Sequence, residues 1–260
     1  VSLGMAVYGL KPVAEIQLDG FLYPALDQLI SHVSRIRTRS RGRYTCPLVV
    51  RVPYGGGVHA PEHHSEAPEA FLIHTPGLKV VIPSTPSDAK GLLLSAINDP
   101  DPVIFFEPKR IYHGDKEEVP DGNYTVPFGK AKIVQEGKDV TLISWGAMVV
   151  LCKKVVQQLA SQGISAELVD LRTLYPYDAA AVIASVRKTG RCVIVHEAHS
   201  TCGFGAELSA RIMEEALLSL KAPVERVTGY DTVYPLYKLE KFYMPNEESI
   251  LSAVEKVLHF

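Results

Sequence analysis

The sequence predicts an α/β protein of two doubly wound domains, the first of them lacking its N-terminal part. Three observations carry this. Short β-branched runs alternate with amphipathic runs of helical length along the chain, the pattern of βαβ units, largely parallel sheets and right-handed crossovers. Residues 109–128 interrupt the alternation with Lys, Asp, Glu, Gly, Pro and Tyr in no period, as an interdomain connection does. The opening "VSLGMAVYGLKP" reads as the tail of a helix that ends near Gly9, with Pro12 beyond it; a domain rarely begins on the last turns of a helix, so an N-terminal portion is expected to be missing.

The elements follow in order. "LKPVAEIQL" is ambiguous and could be a strand. "LVVRVP" (Leu48 to Pro53), "LKVVIPS" (Leu78 to Ser84) and "PVIFFEP" (Pro102 to Pro108) are apolar runs of strand length. Between the last two, "TPSDAKGLLLSAIND" reads as a helix, with Ser87 accepting from first-turn amides and Leu92, Leu93, Ala96 and Ile97 forming its apolar stripe. The first domain spans 1–115, the linker 116–128 and the second domain 129–260. The second domain repeats the logic: strand "DVTLISWG", helix "AMVVLCKKVVQQLASQG" closed by Gly163, strand "SAELVDLR", helix "DAAAVIASVRKTG", strand "RCVIVHEA", helix "FGAELSARIMEEALLSL", strand "PVERVTGYD" and a last helix "NEESILSAVEKVLHF".

Bulk properties narrow the function. Of 260 residues, 47% are apolar and 22% charged, and the net charge is −2. That is an ordinary globular composition without the basic excess of a nucleic-acid surface. The basic cluster "RIRTRSRGR" (Arg35 to Arg43) is local and reads as a solvated or subunit-facing helix end rather than a phosphate site. Cys46, Cys152, Cys192 and Cys202 are far apart with no CxxC spacing, which suits free thiols in a reducing compartment. No run approaches the ~18 apolar residues of a membrane span, and no secretory leader pattern opens the chain.

The stretch "GGGVHAPEHHSEAPEAF" (Gly55 to Phe71) holds three glycines and then His59, His63 and His64. Zinc would need three or four convergent ligands; an HxxxH pair converges only on a helix, and Pro61 and the glycines make this a loop. It follows the strand "LVVRVP", and in open α/β sheets ligands gather at the carboxyl ends of strands. Glycine lets backbone approach a ligand closely, and histidine moves protons near neutral pH. A catalytic or cofactor-facing loop therefore fits best, with a plain surface loop as the alternative. No GxxxxGK[ST] or G-x-S-x-G occurs, and "GFGAE" (Gly203 to Glu207) lacks the full GxGxxG and reads as helix packing. His196, Glu197 and His199 end a strand, so they either face a ligand or cap the strand and meet a subunit.

Several long motifs now carry a resemblance. "HHSEAPEAFLIHTPGLKVVIPSTPSDAKGLLLSAINDPDPVIFFEPKRIY", "LVDLRTLYPYD", "KTGRCVIVHEA", "GFGAEL" and "VTGYDTVYP" resemble, in order, the beta subunit of the decarboxylating first component of 2-oxo acid dehydrogenase complexes. "AEIQ" and "FFEPK" look closer to the branched-chain type than to the pyruvate type. The resemblance implies a pyrimidine-binding transketolase-like domain followed by a transketolase C-terminal-like domain. It implies thiamine diphosphate shared with an alpha subunit, which would hold the diphosphate and magnesium; this chain contains no GDG tripeptide. It further implies an alpha2beta2 heterotetramer, acyl transfer to a lipoyl-bearing acyltransferase core, no nucleic acid or membrane partner, and the cytoplasm of a prokaryote, in preference to the mitochondrial matrix of a eukaryote.

Carried over by position, His64 is the proton-handling catalytic histidine, Phe21 packs on the aminopyrimidine and Gln17, on the face of Glu15, is a further pocket residue. The Ala96 backbone with Asp99 and Asp101 matches a potassium site, with Asp101 where Asn is usual. Glu66 stands where Gln is common and would place a carboxylate near His64. The family's cofactor-activating glutamate belongs in a P-x-x-E segment upstream of Val1, so the chain as it stands is expected to be inactive alone. The alternatives are another transketolase-like thiamine enzyme, against which the missing GDG counts, and a non-catalytic assembly subunit. A zinc-dependent hydrolase is an outsider.

Overall fold

A computed structural model describes residues 1–114 and 116–260. The first half runs α1 (Ser2–Val7), β1 (Val13–Glu15), α2 (Leu22–Gln28), α3 (Ile36–Arg39), β2 (Val49–Tyr54), α4 (Glu69–Ile73), β3 (Lys79–Val81), α5 (Pro86–Asn98) and β4 (Val103–Pro108). The second runs β5 (Lys132–Gln135), β6 (Val140–Ser144), α6 (Ala147–Ser161), β7 (Ala166–Asp170), β8 (Thr173–Tyr175), α7 (Ala179–Thr189), β9 (Cys192–His199), α8 (Phe204–Ala216), β10 (Glu225–Gly229), α9 (Tyr237–Tyr243) and α10 (Glu247–Leu258). The ambiguous opening segment is the short strand β1, and the helix before it ends at Val7, with Gly9 just beyond at a φ of +99°.

Among the described residues two five-stranded sheets form, in the orders β1-β2-β4-β3-β8 and β10-β9-β6-β7-β5. Pairing is parallel except at β8 and β5, which add antiparallel edges. Strand residues alternate between two cores, as a sheet covered on both faces requires. On β2 and β4, Val49, Val103 and Phe105 pack with Leu92 and Ala96 of α5. Their neighbours Val50, Val52, Ile104 and Phe106 turn to the opposite face and join a cluster that continues through Trp145 to Ile143, Ile194, Phe204 and Leu208 of the second half. The second sheet's other face packs on α6 and α10.

One cap differs from expectation. Thr85, not Ser87, caps α5, its hydroxyl accepting from the Asp88 N–H at 3.2 Å. Pro86 follows at the first helical position, which places Thr85 in the extended conformation that a capping residue needs. The Ser87 N–H instead donates to the Glu117 carboxylate at 2.6 Å.

The two sheets are stitched together by the chain itself. β8 belongs in sequence to the second half but pairs with β3. The Ile82 N–H donates to the Arg172 carbonyl at 2.9 Å, the Ser84 hydroxyl donates to Asp170, and Arg172 pairs with buried Asp88 at 3.0 Å. The carboxyl ends of β2, β4, β6 and β9 thereby face a common seam.

Candidate functional site

The glycine loop leaves β2 at this seam. Gly55 and Gly57 have φ of +85° and +81°, and a Cβ on Gly56 would run into the Tyr234 hydroxyl, so neither the turn nor the close approach admits a side chain. The Gly55 N–H donates to the Glu66 carbonyl at 2.9 Å, closing the loop on itself. Between them Glu62–His64 form a single 3-10 turn.

That turn sets His64 against the segment before α2. Its Nδ1 lies 3.0 Å from the His63 carbonyl and 3.9 Å from Asp19 Oδ1, and its ring centroid is 5.7 Å from that of Phe21. A carbonyl only accepts, so Nδ1 carries the hydrogen in that contact and Nε2 is left to take or give a proton. Asp19 is buried, and Lys109 at the end of β4 donates to its Oδ2 at 2.9 Å and to the His64 carbonyl at 2.6 Å. Burial raises the Asp19 carboxyl above its ordinary range, and the Lys109 charge opposes this. Asp19 Oδ1 has no hydrogen-bond partner among the described residues. Phe21 shows half of its surface to solvent. Histidine, orphaned carboxylate oxygen and open aromatic face thus meet in one place.

Other expected positions fall nearby or elsewhere. Gln17 is exposed, two residues beyond the end of β1 and in phase with exposed Glu15. Glu66 does not supply the carboxylate beside His64: the Tyr23 hydroxyl donates to it, and Asp19 stands there instead. Asp19 and Lys109 were missed as site residues. Each sits one or two positions from a strand or turn residue already singled out, and Lys109 directly follows a strand's carboxyl end, where ligand-facing groups collect. Asp99 and Asp101 lie away from His64. Lys79 binds Asp99 at 2.6 Å, Arg37 binds Asp101 at 2.6 Å, and the Ala96 carbonyl accepts the Asp99 N–H at 3.3 Å. Both carboxylates therefore already hold a cationic side chain. His63 is exposed and lies against His64 at 3.9 Å between ring centroids, while the His59 ring meets the edge of Tyr237 at 6.0 Å.

A second polar group lies deeper in the seam. Trp145 Nε1–H donates to Glu69 Oε1 at 3.4 Å and its ring stacks on His196 at 5.2 Å. Glu69, His196 and Glu197 are all buried. Burial pushes Glu69 up to about 8 and Glu197 up to about 7. It pushes His196 down to about 3, and neither ring nitrogen has a hydrogen-bond partner among the described residues. His199 emerges beyond them, 2.9 Å from the Thr232 carbonyl. It lines an open groove of about 1480 Å³ with Arg35, Arg39, Phe71, Tyr177 and Cys202. Cys46, Cys152 and Cys192 are buried free thiols and Cys202 is exposed. Among the described residues, no group of three or more His, Cys, Asp or Glu side chains could hold a metal ion, and no helix is long and apolar enough to cross a membrane.

Comparison with known proteins adds a second line of observation. Residues 1–114 match the family "Transketolase, pyrimidine binding domain" and residues 129–250 the family "Transketolase, C-terminal domain". The chain is 50% identical to "Pyruvate dehydrogenase E1 component subunit beta" of Acholeplasma laidlawii, covering 98% of this chain and 78% of that one. It is 51% identical to "2-oxoisovalerate dehydrogenase subunit beta, mitochondrial" of Dictyostelium discoideum, covering 99% and 70%. It is 47% identical to the pyruvate subunit of Bacillus subtilis (strain 168), covering 100% and 80%. A solved structure, "Split gene transketolase, inactive beta4 tetramer", superposes with a TM-score of 0.81 over 99% of this chain and 79% of that one, at 22% identity, which is a likeness of fold.

Proposed function

This chain belongs to the transketolase-like family of beta subunits of 2-oxo acid dehydrogenase first components, and we propose that His64 is the proton-handling residue of its active site. The observation that supports this reading is the meeting of His64 with Phe21 and the buried Asp19–Lys109 pair. The reaction is decarboxylation of a 2-oxo acid, followed by transfer of the acyl group to a lipoyl arm. Branched-chain 2-oxo acids are the favoured substrates and pyruvate the next; relatives of both kinds are about equally similar.

Thiamine diphosphate, shared with an alpha subunit that would hold its diphosphate and magnesium, supplies the electron sink for loss of carbon dioxide. The residues present fit its pyrimidine: Phe21 offers an open aromatic face, and Asp19 Oδ1 is a buried acceptor with no donor among the described residues. Phe21 would stack on the ring. His64 would move a proton through Nε2 while His63 O holds Nδ1–H. Lys109 fixes the His64 backbone and balances the Asp19 charge. Gln17 would border the pocket from the β1 side. A potassium ion near Ala96, Asp99 and Asp101 would have to share carboxylates already paired with Lys79 and Arg37, and no step here depends on it. The assembly is an alpha2beta2 heterotetramer bound to a lipoyl-bearing acyltransferase core, in the cytoplasm of a prokaryote or the matrix of a eukaryote's mitochondria.

The test is His64→Ala in the complex with a cognate alpha subunit. Turnover should fall by ~10²–10⁴-fold, the usual worth of a positioned acid–base group, with the heterotetramer intact by sedimentation. Full turnover in the variant would remove His64 from this role. Comparing kcat/KM for pyruvate and for branched 2-oxo acids reads the substrate preference.

A further inference from the structure

The loop that carries His64 departs from β2 and folds out of regular pairing between Gly55 and Pro61. Three of its first five residues, Gly55, Gly57 and His59, have positive φ, and His59 does so at +60° with a side chain. Such a backbone persists only where its surroundings over-determine it. Its amides show what does so. Of the amides of residues 55–59, only the Gly55 N–H is met from within the first half among the described residues, by the Glu66 carbonyl. The Gly56 N–H donates to Glu197 Oε2 at 2.9 Å. The Gly57 N–H donates to the Tyr234 hydroxyl at 3.1 Å. The His59 N–H donates to Glu240 Oε2 at 3.1 Å.

These three acceptors come from three separate elements of the second half: the end of β9, the segment before α9, and α9 itself. All three side chains are buried. They are also locked by their own neighbours. Tyr234 packs on Tyr243 at 4.8 Å between ring centroids, and the Tyr237 ring of α9 meets the His59 ring. The fit is close: a Cβ on Gly55 would lie 2.7 Å from the Glu197 carboxylate. On the far side of His64, Lys109 holds the His64 carbonyl. The loop is thus pinned at one end by its own sheet and at the other by the second sheet.

We propose that Glu197, Tyr234 and Glu240 are positioning residues for His64, so that the second half of the chain sets the place of the proton-handling group on the first. This rests on the reading of His64 given above. None of the three touches His64; they act through the backbone of residues 56–59. The second half then has a part in catalysis separate from any docking role. A loop displaced by a fraction of an ångström would misplace Nε2, and a misplacement of about 1 Å can cost ~10²-fold in rate.

The experiment uses the complex with alpha subunit and compares Tyr234→Phe, Glu240→Ala and Glu240→Gln with wild type. Tyr234→Phe removes one acceptor and nearly no volume; Glu240→Gln keeps an acceptor oxygen where Glu240→Ala removes it. Amide hydrogen exchange of residues 55–60, followed by mass spectrometry, reads the loop without reference to turnover. The expected result is exchange about tenfold faster in that segment for Tyr234→Phe and Glu240→Ala, the loss of roughly one hydrogen bond, with β2 and β4 protection unchanged. kcat should fall by about tenfold or more with KM for the 2-oxo acid held, and Glu240→Gln should restore both. Unchanged exchange in the loop, or faster exchange spread over the whole first sheet, overturns the proposal. If His64→Ala keeps full turnover, the catalytic reading fails by itself, and the exchange data still decide whether the second half holds the loop.

Discussion

His64 and His196 make an instructive pair. Each lies against an aromatic ring near the seam, His64 in the loop that follows β2 and His196 within β9. His64 keeps contact with solvent at 15% side-chain exposure, has Nδ1 engaged and Nε2 free, and sits beside a carboxylate balanced by Lys109. His196 is fully buried between Trp145 and the first turn of α8, with both nitrogens unpartnered among the described residues and its imidazole held neutral. The lesson is that placement near the seam makes a histidine eligible for proton transfer, whereas access and a balanced charge partner decide whether it can do it. The seam group of Glu69, Trp145 and His196 is packed between the sheets, whereas the His64 group is the one proposed above for proton transfer.

Four measurements sharpen or break this contrast, from the largest effect to the smallest. His64→Ala should lose ~10²–10⁴-fold in turnover without a change in thermal midpoint. His196→Leu, which matches the volume and removes two unsatisfied buried nitrogens, should leave kcat within about threefold and cost under about 1 kcal/mol. A large kcat loss in His196→Leu would erase the distinction. Next, Lys109→Met strands the buried Asp19 charge and should destabilise the protein by about 3–5 kcal/mol at neutral pH by urea titration. The deficit should shrink towards pH 4, because a protonated Asp19 needs no partner; an equal deficit at both pH values would assign the loss to packing.

Third, a Cβ on Gly205 would lie 2.6 Å from His196 Nε2. Gly205→Ala should therefore cost about 1–3 kcal/mol, and combining it with His196→Ala should return part of that loss by double-mutant cycle. Additive losses would mean that the ring is not what confines α8. The smallest effect concerns pH. Burial holds the folded-state Glu69 at about 8, above its unfolded value, so its protonated form contributes stability at low pH that is lost as pH rises through about 8. Glu69→Gln cannot ionise. Its thermal midpoint should match wild type at pH 5 and exceed it at pH 9. A constant difference across that range would show that Glu69 is not titrating there.

Much of this was legible in residue patterns. The β-branched runs at 49–54, 103–108, 140–144 and 192–199 and the stripes of α5, α6, α8 and α10 stand where periodicity predicts, because burial on both faces of a parallel sheet demands continuous apolar strands. β5 and β8 were not legible: each is short and an antiparallel edge, and β8 reads as "TLY" before a proline, with no period to detect. Thr85 replaced Ser87 as cap because Pro86 sets which residue stands just outside the helix.

The motif order and the local alternation identify the family and the two-sheet plan, since both depend on short-range sequence and on what a sheet face must bury. They also single out a histidine-rich loop after a strand as a place for chemistry. Which histidine is free, which carboxylate stands beside it and what holds the loop were decided by folding. Asp19, Lys109, Glu197, Tyr234 and Glu240 come from positions up to 181 residues away from their partners. Their contacts and the burial that shifts their protonation exist only when the two sheets close on their common seam, a long-range arrangement that no local spacing encodes.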